Sequence, residues 1–148
     1  MGTWSHEPFG NDSAADWAFA LKGQQDFSAV EAALRQVVDN EGYLDADMAV
    51  EAIAAAEVLA KANGRGTQSD AYTEPVEEWL ESIEVPPPAE LYVLARRALV
   101  RVLEPESELR ELWEESDDFS QWEESVAALQ SAAASSMEQG PCLSDSKE

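Results

Sequence analysis

The chain has 148 residues, of which 45% are hydrophobic, so it is long enough to form one domain with a sizeable core. Its 31 acidic and 9 basic residues give a net charge of -22, which disfavours direct binding to nucleic acids or to anionic membrane surfaces. Basic proteins are the natural electrostatic partners of such a chain, although the charge could equally serve only solubility or reflect an acidic proteome. A single cysteine excludes an intrachain disulfide, and no signal peptide or membrane-spanning apolar run is present, so we expect a cytoplasmic protein.

The residue pattern of the N-terminal half predicts three helices, which follow an irregular lead-in over residues 1–11. Ser28 is a suitable N-cap for the second helix and Asp45 for the third, which should run to about Ala62. Apolar residues recur at helical spacing in each segment. The three apolar stripes are Ala14, Trp17, Ala18 and Leu21; Val30, Ala33, Leu34, Val37 and Val38; and Met48, Ala52, Ile53, Ala56, Leu59 and Ala60.

The C-terminal half predicts three or four further helices after a polar surface loop at 65–72. A fourth helix starts near Glu74, and the stiff segment Pro86–Pro88 sets the direction of the fifth. The pair Ser120 and Glu123 has the spacing of a capping box for the last helix. The apolar stripes are Val76, Trp79, Leu80 and Ile83; Leu91, Leu94, Ala95, Ala98, Leu99 and Val102; Leu109, Leu112 and Trp113; and Trp122, Val126 and Leu129.

The predicted fold is therefore all-α: one compact acidic domain of about six or seven helices over residues 1–134, with the third and fifth helices central. No segment alternates as a strand would. Residues 135–148 are small and polar and are expected to form a disordered tail.

Two groups of charged residues are predicted to form ion pairs. Glu57 and Lys61 are four residues apart and predict an ion pair on the exposed side of the third helix. The fifth helix carries the chain's only basic cluster, which we expect to pair with acidic residues, among them those at 106–124. That cluster consists of Arg96, Arg97 and Arg101.

Two separated motifs resemble one family. The opening MGTWSHEPFGNDSAADW, at residues 1–17, and SELRELWEE, at residues 107–115, are similar to the motifs of domain-of-unknown-function family 4259. The order and spacing of these motifs cover most of residues 1–130. The resemblance implies a helical bacterial cytoplasmic domain, and it supplies no catalytic residues.

Catalytic and metal-binding patterns are sparse. His6 and Cys142 are the only residues of their types, so any Ser/His/Asp or Cys/His device would have to use His6. The carboxylates beside His6, namely Glu7, Asp12 and Asp16, could form a weak metal site, although a capped helix start explains them better. Asp45–Asp47 begins like a calcium loop but lacks the later glycine and glutamate. We therefore expect no cofactor, no metal and no enzymatic activity.

The stretch 107–122 combines an apolar stripe with a dense run of acids. Leu109, Leu112, Trp113 and Trp122 are predicted to anchor the core, which leaves the acids between them on the surface. The predicted partner-binding residues are Glu111, Glu114, Glu115, Asp117, Asp118, Glu123 and Glu124.

Three functions remain open at this point. A surface rich in carboxylates attracts basic proteins, and inhibitors of nucleases present carboxylates where nucleic-acid phosphates would sit. We therefore favour a cytoplasmic immunity protein or inhibitor of a basic toxin such as a nuclease. The alternative is a housekeeping or structural helical domain whose acidity only keeps it soluble. An enzyme that uses carboxylates around His6 is the least favoured. The identity of the partner and the oligomeric state are not predicted.

Overall fold

A computed structural model describes residues 12–23, 26–62, 74–83 and 87–132, and these ranges contain seven α-helices and one 3₁₀ turn. The helices are α1 (Asp12–Ala20, followed by the 3₁₀ turn Leu21–Gly23), α2 (Ser28–Val38), α3 (Ala46–Ala62), α4 (Glu74–Ser82), α5 (Ala89–Leu103), α6 (Glu108–Glu114) and α7 (Phe119–Ala132). The all-α prediction is confirmed, because no strand forms in these ranges. The lead-in at 1–11, the loop at 65–72 and the tail at 135–148 lie outside the described residues.

Helix α3 is the centre of the packing, as predicted. It packs against α1, α2, α5, α6 and α7, and almost every residue from Ala49 to Ala60 is buried. The buried apolar surface of α3 therefore extends around the helix and is wider than the predicted stripe. Alanines make up half of that span, and their small side chains let the backbones of neighbouring helices approach closely.

Helix α5 forms the second central element and has a clear inner and outer side. All six residues of its predicted stripe are buried, and α5 packs against α2, α3, α6 and α7. The outer side carries Arg97 between the exposed residues Val93 and Val100. Glu104 follows the last turn as the C-cap of the helix.

Two of the three predicted helix caps are wrong. Ser28 is the first residue of α2 and Phe27 occupies the N-cap position; the backbone N–H of Ser28 donates to the Asp26 carboxylate (3.0 Å). Ser120 is the second residue of α7 and therefore cannot cap it; the start of α7 is set by the preceding turn, where the N–H of Asp118 donates to the Ser116 hydroxyl (3.1 Å). Asp45 caps α3 as predicted, by accepting the N–H of Asp47 (2.8 Å).

The predicted ion pair between Glu57 and Lys61 forms, but its predicted location on an exposed side of α3 is wrong. The Glu57 side chain is fully buried and that of Lys61 is 8% exposed. Their Nζ–Oε2 distance is 3.9 Å, and the same ammonium group donates to Glu77 of α4 at 2.9 Å. The Lys61–Glu77 contact shows that α4 packs over this side of α3, so the pair lies between two helices.

Candidate functional site

The predicted binding residues lie on α6, on α7 and in the turn between them. Ser107 caps α6: it is buried, and its hydroxyl accepts the backbone N–H of Arg110 (3.4 Å). Leu109 and Trp113, four residues apart, are buried as predicted. Leu112 was predicted to be a core anchor, but its side chain is 44% exposed. A helix of seven residues contacts the core along one line, and Leu112 lies at the edge of that line.

Aromatic packing determines how α7 joins α6. The rings of Trp113 and Trp122 stack, with centroids 6.2 Å apart and planes within 9°. Phe119 adds a tilted contact with Trp122 at 5.9 Å. Such pairs contribute about 0.5–1.5 kcal/mol beyond their buried area. The carboxylates between these rings are therefore carried on a well-anchored corner of the fold.

All seven predicted carboxylates are exposed, and we call them the acidic surface: Glu111, Glu114, Glu115, Asp117, Asp118, Glu123 and Glu124. Residues 111–132 contain no lysine or arginine. The nearest basic residue in the chain is Arg110, which pairs with Glu114 at 3.1 Å and lies over the ring of Phe119 at 5.9 Å. The acidic surface therefore has little internal charge compensation along its own sequence.

Tyr43, in the loop between α2 and α3, joins this surface and was not predicted. Its hydroxyl donates to the Glu111 carboxylate at 2.6 Å, and its side chain is 55% exposed. This hydrogen bond, together with desolvation and the negative charges of Glu111 and Glu108, raises the pKa of Tyr43 to about 12. Tyr43 and Glu111 are 68 positions apart in the sequence, so no local sequence pattern indicates the contact.

Backbone hydrogen bonds attach the Tyr43 loop to the start of α6. Leu44 forms a parallel bridge with Ser107, in which its N–H donates to the Glu106 carbonyl (2.7 Å) and its carbonyl accepts the N–H of Glu108 (2.9 Å). The Glu108 side chain also accepts the N–H of Ala46 at the start of α3 (2.9 Å). Two segments distant in sequence are thus fixed relative to each other.

Arg101 reinforces this attachment. It was predicted to pair with carboxylates, but its hydrogen bonds go to the carbonyl oxygens of Gly42 and Glu106. Both of these residues have a left-handed backbone, with φ of 99° at Gly42 and 70° at Glu106. The pairing predicted for Arg96 and Arg97 remains a prediction.

The weaker sequence candidates for a catalytic or metal site gain no support from the described residues. His6 and Glu7 lie outside the described residues, as does the side chain of Asp12, and Asp16 is exposed on α1. Asp45 acts as a helix cap. No group of three His, Cys, Asp or Glu side chains in the described ranges is placed to hold a metal ion. None of the helices in these ranges has both the length and the apolar character needed to cross a membrane.

Comparison with known proteins places the chain in a family. No curated protein and no solved structure matches it. The family model described as Domain of unknown function (DUF4259) matches residues 2–125, a span that includes the first motif from residue 2 onward, the whole second motif and the entire acidic surface. The chain therefore belongs to the DUF4259 family.

Proposed function

We propose that this protein is a non-enzymatic binding protein: a cytoplasmic immunity protein or inhibitor that uses its acidic surface to neutralise a basic toxin, such as a nuclease. The observation that carries the proposal is the exposure of seven carboxylates on the α6–α7 corner, in a segment without lysine or arginine. A basic partner is attracted to such a surface over distances of about a Debye length, roughly 8–10 Å at physiological salt.

The geometry also suits inhibition of an enzyme that binds phosphates. A nuclease holds nucleic acid with clustered Lys and Arg side chains, and those side chains would accept a rigid array of carboxylates in its place. The α6–α7 corner is anchored by the Trp113–Trp122 stack, so binding requires little ordering of the backbone that carries the acids.

The alternative is a housekeeping or structural domain whose acidity only provides solubility, and one observation favours it. Exposed acids also occur on or beside every other described helix. They are Asp16, Asp26, Asp39, Glu41, Asp45, Asp47, Glu74, Glu78, Glu81, Glu90, Glu104 and Glu106. On this alternative the whole surface repels other acidic molecules and no single face is used.

The test begins with in-cell crosslinking of the protein in its native host and identification of the captured partner. The dissociation constant of the purified pair is then measured between about 50 and 500 mM salt, together with inhibition of any toxin activity of the partner. The test variant replaces four acids of the acidic surface by lysine: Glu114, Glu115, Asp117 and Asp118. A matched control with the same net charge replaces Asp16, Glu74, Glu78 and Glu81 on α1 and α4.

We expect the test variant to lose at least about tenfold in affinity and to lose inhibition, while the control stays within about threefold of the native protein. Native affinity should fall as salt rises. If the affinity of the complex changes neither with salt concentration nor in the test variant, the electrostatic basis of the proposal is contradicted. Equal losses in both variants favour a diffuse charge effect and therefore the alternative.

A further inference from the structure

Two large apolar side chains remain exposed beside the acidic surface. Tyr43 is held against Glu111 by its hydrogen bond, and Leu112 is the next residue of α6. Residues three and four apart share one side of a helix, so Glu108, Glu111, Leu112 and Glu115 face in similar directions. Tyr43 and Leu112 thus flank a line of carboxylates.

The Tyr43 ring is presented on a rigid support. The Leu44–Ser107 bridge and the hydrogen bonds of Arg101 join its loop to the start of α6, and its hydroxyl is fixed by Glu111. Ordering a mobile side chain on binding costs conformational entropy, and much of this cost is already met in the free protein. Tyrosine is also among the residues that contribute most to binding energy at protein interfaces.

We propose that Tyr43 and Leu112 form the apolar centre of a docking site for a basic protein segment that carries an apolar side chain between its Lys or Arg residues. Charge complementarity identifies this occupant: the carboxylates of the acidic surface attract cations, and a purely apolar or acidic segment gains nothing from them. The inference rests on the proposed function and assigns the central contact of the same surface. The carboxylates steer the partner to this corner, and the two apolar side chains determine how long it stays bound.

The outer side of α5 offers a matched control. Val93 and Val100 are exposed to a degree similar to Leu112, but they lie on either side of Arg97. This side of α5 lies outside the acidic surface, so truncating both valines should leave the binding of a basic segment unchanged.

The test uses two synthetic peptides of about 16 residues, enough for four helical turns. Both carry the same lysines; one has leucines at helical spacing between them and the other has serines. The full-length protein is titrated with each peptide by calorimetry at several salt concentrations. The test variant is Tyr43→Ala with Leu112→Ala, and the control is Val93→Ala with Val100→Ala. Circular dichroism verifies that each variant is folded. The single variant Leu112→Glu repeats the test at a position whose side chain is half-exposed in the native protein.

We expect the native protein and the control to bind the leucine peptide about tenfold more tightly than the serine peptide. The test variant should lose this preference, while the dependence of its affinity on salt stays as in the native protein. Equal binding of both peptides by the native protein, or an unchanged preference in the test variant, overturns the inference. Salt-dependent binding of both peptides would then still support the proposed function.

Two further results would also count against the docking site. If reversing Glu114, Glu115, Asp117 and Asp118 to lysine leaves the binding of both peptides unchanged, the proposed function fails and the docking site for a basic segment fails with it. If the free protein forms a dimer in analytical ultracentrifugation that Leu112→Glu dissociates, the occupant is a second copy of the chain, which likewise overturns the inference.

Discussion

Replacing Lys61 by methionine tests the buried ion pair between α3 and α4. Methionine keeps much of the volume and removes the ammonium group that lies 3.9 Å from the fully buried Glu57 carboxylate and 2.9 Å from that of Glu77. Removing one partner of a buried pair costs about 3–5 kcal/mol, because the remaining charge loses that interaction without regaining water. We expect a loss near the lower end of that range, since the Nζ–Oε2 distance to Glu57 is long.

For a domain of this size such a loss lowers Tm by about 10 °C. Urea unfolding followed by circular dichroism measures the free energy of unfolding directly. The double variant Glu57→Leu with Lys61→Met is the control, and it should lie within about 1.5 kcal/mol of the native protein because no buried charge is left unpaired. Glu77→Gln should cost less than about 1 kcal/mol, because Glu77 is 40% exposed. A loss below about 1 kcal/mol for Lys61→Met would refute the reasoning.

Three further predictions concern the binding corner and its support. Gly42→Ala should cost about 1–2 kcal/mol in urea unfolding, because φ is 99° there; Gly23→Ala is the control, with no positive φ and nothing within 4 Å, and should not destabilise the protein. Tyr43 should ionise near its pKa of about 12 in an ultraviolet titration, and Glu111→Gln should move that pKa towards 10. Because the pKa of Tyr43 is raised in the folded state, its hydrogen bond to Glu111 contributes fully to stability below about pH 10, and this contribution disappears as the pH rises through 12. Trp113→Ala should cost about 3–5 kcal/mol and remove the near-ultraviolet signal of the Trp113–Trp122 stack, and a preserved signal would contradict the stack.

Local patterns were sufficient for the helices. The 3.6-residue recurrence of apolar side chains predicted every buried residue of α5 except Tyr92, because one side of that helix meets the core and the other meets water. Their charge predicted that the seven carboxylates lie on the surface, since ionised side chains are rarely buried. Family membership was also visible from two short motifs.

Local patterns were wrong where a second element decides the environment. The spacing of Glu57 and Lys61 is typical of an exposed pair, yet α4 packs over it. Leu112 has helical spacing with Leu109, but a seven-residue helix contacts the core along only one line, and Leu112 lies beside it. Ser120 and Glu123 have the spacing of a capping box, but α7 begins one residue before Ser120.

The sequence by itself determined the all-α class, the core sides of the helices and the acidity of the α6–α7 segment, because hydrophobic periodicity and charge are local properties. Only the tertiary structure brought Tyr43 beside Glu111, by joining the α2–α3 loop to the start of α6 through the Leu44–Ser107 bridge. Contacts between residues so far apart depend on how helices pack and where loops end, and neither is encoded in local spacing. The helical pattern therefore predicted an acidic face, and packing placed an exposed tyrosine and leucine beside it.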